Sequence, residues 1–192
     1  MVLVYYHRPT KSIVSERSCN FFMADTNFYY NIKELQANGL VTLDMLCNAL
    51  LKSYITTDEF VELAGENDAL EGIKTVQIAK TKSGLSDYLS AHPYETSDGK
   101  KYSVTFEKQS LLANEIATYQ LATAAGQEYK LTWNTTGEEC VEMTIEQITA
   151  LALQIAAYVK PLVSYQQTKE IEIKDCTTVE SVLAVEVNYG NV

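Results

Sequence analysis

The chain reads as an α+β protein: a small N-terminal helical hairpin unit followed by a β-hairpin, or small antiparallel sheet, packed against helices. Three observations predict this. Apolar residues recur at helical spacing behind good N-caps at Thr42, Thr56 and Thr144. The segment from Tyr129 to Met143 alternates apolar and polar residues on either side of a Thr-Thr-Gly turn. Finally, 192 residues with 46% hydrophobic content supply one good core or two small ones, but not a large multidomain enzyme. With three prolines, eight glycines and no repeat of fixed period, the chain is expected to fold rather than to act as a linker or a disordered segment.

Taken in order, residues 1–26 read as an arm. A β-like run from Val2 to Tyr6 and the Phe21-Phe22-Met23 triplet flank a polar stretch, which makes two sticky ends. Residues 27–66 read as a helical mini-domain. Its first helix runs near Tyr29–Ala37 and stops at Asn38-Gly39, the second opens at Thr42, and the third opens at Thr56, where Thr56 and Glu59 form a capping box. Ile32 and Leu35, then Leu43, Leu46 and Leu50, then Phe60 and Leu63 give each helix one narrow apolar stripe, and helices this short need a packing partner.

Residues 66–72 are acidic and read as a loop, followed by a strand or helix edge around Ile73–Ile78 and a short helix from Leu85 to Ala91 that Pro93 ends. These open an α+β module over residues 73–187. In it, Ser97–Lys100 is a turn before an alternating strand from Tyr102 to Phe106, and Gln109–Ala125 is a helix stopped by Gly126. The hairpin then presents Tyr129, Leu131, Trp133, Val141 and Met143 on one face, for a long helix capped by Thr144 and Gln147 to cover with Ile148, Ile155 and Val159. Pro161 inside that pattern predicts a kink or break near Ala157–Lys160, and a last helix capped by Thr177 and Glu180 precedes a tail at 188–192. The expected core is therefore Tyr102, Phe106, Leu131, Trp133, Val141, Ile148, Ile155 and Val159. Trp133, the single tryptophan, reads as a core aromatic under the long helix rather than as a ligand platform.

The chemistry inventory is sparse. His7 lies in the arm and His92 precedes Pro93, so neither is placed to serve a nucleophile or a zinc ion, and phosphate-loop, dinucleotide and metalloprotease motifs are absent from the sequence. Cys19, Cys47, Cys140 and Cys176 lack the paired spacing of zinc and redox sites and read as reduced small hydrophobes. The carboxylates Glu138, Glu139, Glu142, Glu170 and Glu172 read as solvated faces; a glycan-cleaving pair among them is the weaker alternative. No cofactor and no metal are expected.

The net charge of −10 disfavours nucleic acid and anionic lipid, and apolar stretches interrupted by Lys, Glu or Gln predict no membrane span and a soluble chain that keeps its N-terminus. The charge is polarised. Arg8, Lys11 and Arg17 against Glu16 put +2 on the first 24 residues, which leaves −12 on the rest.

Ile32-Lys33-Glu34-Leu35, Gly39-Leu40-Val41-Thr42 and Ile55-Thr56-Thr57-Asp58-Glu59-Phe60 with Ala64-Gly65 resemble the short XkdX-type proteins encoded among phage tail genes, although Ser53-Tyr54 stands where that family usually has a small residue. Roughly residues 73–187 resemble a domain of unknown function found beside or within phage tail-fibre proteins. That likeness is carried by Tyr102, Phe106, Leu131-Thr132-Trp133, Met143-Thr144, the helix from Leu151 to Val159 and Thr177-Thr178-Val179-Glu180. The departures here are the Thr135-Thr136-Gly137 turn and Pro161. These resemblances imply a virion context and no reaction. The resulting expectation is a non-enzymatic structural or interaction protein of a phage or prophage tail, baseplate or fibre, assembled in the host cytoplasm, docked to other virion proteins and oligomeric or in an obligate complex. A fibre-assembly chaperone absent from the particle is the alternative. Tyr5, Tyr6, Arg8, Arg17, Phe21, Phe22, Tyr29, Tyr30, Leu46 and Phe60 are the expected contact residues.

Overall fold

The structure, a computed structural model, describes residues 26–192. The expected arm, with Tyr5, Tyr6, Arg8, Arg17, Phe21 and Phe22, lies outside the described residues. The described chain is α+β: mostly helical, with two small antiparallel two-stranded sheets against the helices.

Three helices open it: α1 (Thr26–Ala37), α2 (Leu43–Leu51) and α3 (Thr57–Ala91). Their boundaries obey local chemistry. Gly39 takes a left-handed φ of 68° to end α1, Thr42 accepts from the Met45 N–H to start α2, and the Thr56–Glu59 capping box starts α3. Gly65, with φ 75° and ψ 166°, breaks α3, as the end expected near that glycine requires. Beyond Gly65 the fold departs from the sequence expectation. Residues 66–91 form one continuous helical stretch, not an acidic loop, a strand edge and a short helix. Its apolar stripe of Ala69, Ile73, Val76, Leu85 and Leu89 is buried by packing that local acidity cannot reveal.

A hairpin of β1 (Tyr94–Glu95) and β2 (Lys101–Tyr102) leads to α4 (Phe106–Ala124). The strand expected over Tyr102–Phe106 is thus cut short. Thr105 accepts from the Lys108 N–H and opens α4, so Phe106 becomes a first-turn helix residue and is 48% exposed rather than in the core. The second hairpin, β3 (Thr132–Trp133) and β4 (Val141–Glu142), pairs Trp133 with Val141 and Thr132 with Glu142, and the Thr136 N–H donates to the Lys101 carbonyl at 2.7 Å to tie the two hairpins together.

Burial fades along the second hairpin with distance from the helix that covers it. Leu131 is buried and Trp133 half-buried, but Val141 is 61% exposed, which corrects its expected place in the core. Lys108 lies over the Trp133 ring at 5.6 Å.

The covering helix is α5 (Ile145–Asp175), opened by the Thr144–Gln147 capping box. No break occurs at Pro161. The proline ring is exposed, and Val159 and Leu162 on either side are buried in one core, so packing keeps the helix continuous while water can reach the carbonyl left without a donor. A short α6 (Val179–Leu183) is capped by Thr178 with Ser181, one residue later than expected, and a 3₁₀ turn at Tyr189–Asn191 closes the chain.

Helices α3 and α5 run antiparallel. Tyr158 donates to the His92 carbonyl at 3.3 Å at one end, and Ile173 joins Ile73 and Val76 at the other. Two cores lie along this pair. The first gathers Leu46, Leu50, Ile55, Phe60, Ile73, Val76, Ile173 and Val182; the second gathers Leu89, Val104, Leu112, Leu131, Ile148, Ile155, Val159 and Tyr189. The expected mini-domain 27–66 is therefore not a separately cored unit, because α5 and α6 complete its interior.

Between the cores sits a polar layer. Gln166 donates to Thr81 at 3.4 Å and to Glu170, while the Tyr189 hydroxyl donates to the Thr81 carbonyl at 2.7 Å. Burial pushes the Glu170 carboxyl upward, but the Gln166 amide and the Lys82 ammonium more than offset it, and the group is held below the usual carboxylate range.

Two outcomes are expected. A Cβ added at Gly72 would overlap the fully buried Phe60 ring, so Gly72→Ala should cost a net of about 1–2 kcal/mol despite its better helix propensity, read as a lower urea midpoint at unchanged slope. Burial pushes the Tyr189 phenol up to about 12, with Tyr165 and Glu170 adding to the shift. The native state thus favours the neutral phenol. Its stabilisation is complete below about pH 10, where unfolded tyrosine titrates, and is lost as pH rises toward 12. Wild type should exceed Tyr189→Phe by about 1 kcal/mol at neutral pH, and the gap should close by pH ~11 in paired urea titrations.

Candidate interaction surface

Among the described residues no group of three or more His, Cys, Asp or Glu side chains is placed to hold a metal ion. His92 stacks on Tyr88 with ring centroids 4.0 Å apart, and its Nδ1 lies 2.9 Å from the Tyr88 carbonyl, so this ring finishes α3. The Cys47 thiol is buried beside the Gly72 carbonyl, and burial pushes its pKa up, away from a reactive thiolate. Cys140 and Cys176 are free as well.

Apolar surface stands out instead. In α1, Tyr29 and Ile32 face the core, while the Gln36 amide donates to the Leu63 carbonyl and Lys33 pairs with Glu62 across to α3. The opposite side of α1 and its turn present Tyr30 and Leu40, each 63% exposed, and Leu35 is exposed on the flank of α1. In α2 the buried side carries Leu46, Cys47, Ala49 and Leu50; Met45, Leu51 and then Tyr54 point outward, Tyr54 lying 5.0 Å from the Phe28 ring. Of the expected contact residues in the described chain, Tyr30 is thus at the surface. Tyr29, Leu46 and Phe60 are corrections: each is buried in the first core, because the single apolar stripe of a short helix is spent on intramolecular packing. The exposed Leu40, Met45 and Tyr54 were missed, and the signal for them was present in the same stripes. On a two-turn helix with one buried face, apolar residues a half-turn off that face must point to solvent.

A second apolar surface lies between α4 and α5. A groove of about 350 Å³ is lined by Leu112, Ala113 and Ile116 from α4 and by Ala152, Ile155 and Ala156 from α5. The polar clefts are of a different kind. Tyr129 donates to Glu115 at 2.9 Å under the hairpin, and a small pocket of about 120 Å³ joins Ser103, Lys108, Trp133 and Asn134. By length and composition α5 is long and apolar enough to cross a bilayer, contrary to the expectation that polar interruptions fall too close together; seven of its residues nevertheless pack into the protein.

The turn that aims Tyr54 outward has a residue-level test. Ser53 has φ 56°, and the Tyr54 N–H bonds back to the Ala49 carbonyl, which is a helix stop in the left-handed conformation that glycine favours. Ser53→Gly should raise stability by about 0.5–1 kcal/mol in chemical unfolding, whereas Ser53→Val should lower it. Comparison with protein-family models, with curated proteins and with solved structures found no match for the chain.

Proposed function

We propose that the chain is a non-enzymatic structural or interaction protein of a bacteriophage or prophage virion, associated with the tail, baseplate or fibre, that docks on other virion proteins through the outer face of α1 and α2. One observation carries the docking part of this reading. Tyr30 and Met45 on two short helices whose other face is already buried, and Leu40 and Tyr54 in the turns that follow them, stand exposed. Aromatic and methionine side chains give large contact area for few frozen bonds, which suits a protein partner. The virion context rests on the resemblance, read from the sequence motifs alone, of residues 27–66 to XkdX-type tail proteins and of roughly residues 73–187 to the fibre-associated domain. On this reading the protein is assembled in the host cytoplasm and carried in the particle.

Mass spectrometry of purified, nuclease-treated particles should find this chain at a fixed ratio to the major tail protein. Its absence from particles, with the chain abundant in the lysate, would replace this reading with that of an assembly chaperone. A Leu40→Ser/Met45→Gln double variant removes two exposed apolar side chains that belong to neither core. It should enter particles at least about tenfold less well while its thermal unfolding is unchanged.

A further inference from the structure

We propose that the α4–α5 face is a self-association surface, on which a second copy of this chain packs to form a four-helix contact. The inference concerns a different surface from the docking face of α1 and α2, and it holds whether or not the chain enters a particle.

The first argument is charge. Two copies of a chain with net charge −10 repel each other over most of their surface. This face carries little of that charge. From Gln109 to Gln127 Glu115 alone is charged, and from Gln147 to Val159 no residue is, in a chain that is 21% charged overall. Glu115 is also turned away: it accepts from the Tyr129 hydroxyl and the Thr132 N–H on the hairpin side.

The second argument is shape. A two-fold contact uses the same patch twice, so that patch must hold both holes and knobs. Small residues, Ala113 on α4 with Ala152 and Ala156 on α5, line the groove floor and walls. Ile116, a larger and half-buried side chain of the same lining, stands among them.

The third argument is area. The 19 residues of α4 span about 28 Å, and two helices about 10 Å apart present a strip about 20 Å wide. Two such strips bury about 1,100 Å² in total, which clears the roughly 1,000 Å² expected of a specific contact.

A lipid surface is a poorer occupant. The same face carries Gln109 and Gln120, and α5 ends in a run of paired charges from Lys169 to Asp175 that a bilayer interior would have to desolvate.

The test is light scattering across a micromolar concentration series. Wild type should weigh twice 21.5 kDa, and Ala113→Glu and Ala156→Glu, each at an exposed residue of the groove lining, should weigh 21.5 kDa and still unfold cooperatively, at a midpoint lower only by the lost association. Thr118→Glu, on the far side of α4, should remain dimeric. A wild-type monomer at every concentration, a dimer that survives both variants, or a chain that floats with neutral lipid vesicles in place of dimerising would each overturn the proposal. Because the readout is the mass of the pure chain, the proposal fails or stands separately from the particle census.

Discussion

The antiparallel contact of α3 and α5 is the constraint on which the rest of the molecule depends. Every other element rests on one end of this pair: α1, α2 and α6 on the end marked by Ile73, Val76 and Ile173, and α4 with both hairpins on the end marked by Leu89, Ile155 and Val159. The polar layer of Thr81, Gln166 and the Tyr189 hydroxyl lies between. Such a layer adds little net energy, because its groups exchange water for one another, but a one-turn slip of α5 along α3 would leave buried donors and acceptors unpaired. Register is the property it protects.

That layer also gives the C-terminal segment its place. Tyr189 crosses from the end of the chain to the Thr81 carbonyl, and Tyr165 accepts from the Asn188 N–H, so the last residues bridge α3 and α5 instead of trailing from the fold. The tail that composition alone marks at residues 188–192 is thereby part of the second core.

With the interior assigned, the surface divides by chemistry. The two apolar exposed regions differ in build: isolated aromatics and methionine on and beside α1 and α2, and a groove lined by alanines, leucine and isoleucines between α4 and α5. The first suits anchoring into pockets on an unlike partner. The second suits interdigitation with a copy of itself. A chain whose charged residues are mostly acidic keeps its surfaces apart by repulsion, so these uncharged windows decide where association occurs.

Local chemistry determined a good part of this in advance. Thr42, Thr56 and Thr144 mark helix starts because each hydroxyl accepts from a backbone N–H three residues on, and Gly39, Gly65 and Gly126 stop or break helices because left-handed φ costs glycine little. The Trp133–Val141 pairing results from alternation around a short turn. Tertiary structure alone decided which apolar residues are spent inside. Phe60 and Leu46, expected at a contact surface, are buried and Phe106 and Val141, expected in the core, are exposed, because burial depends on what a helix or hairpin is laid against. The same holds for residues 66–72, made helical by a stripe that meets α5 and α6, and for α5 passing Pro161 unbroken, held by core contacts on both sides. Sequence spacing specifies where elements begin and end; the partners that cover their faces come from far along the chain, and no local pattern encodes them.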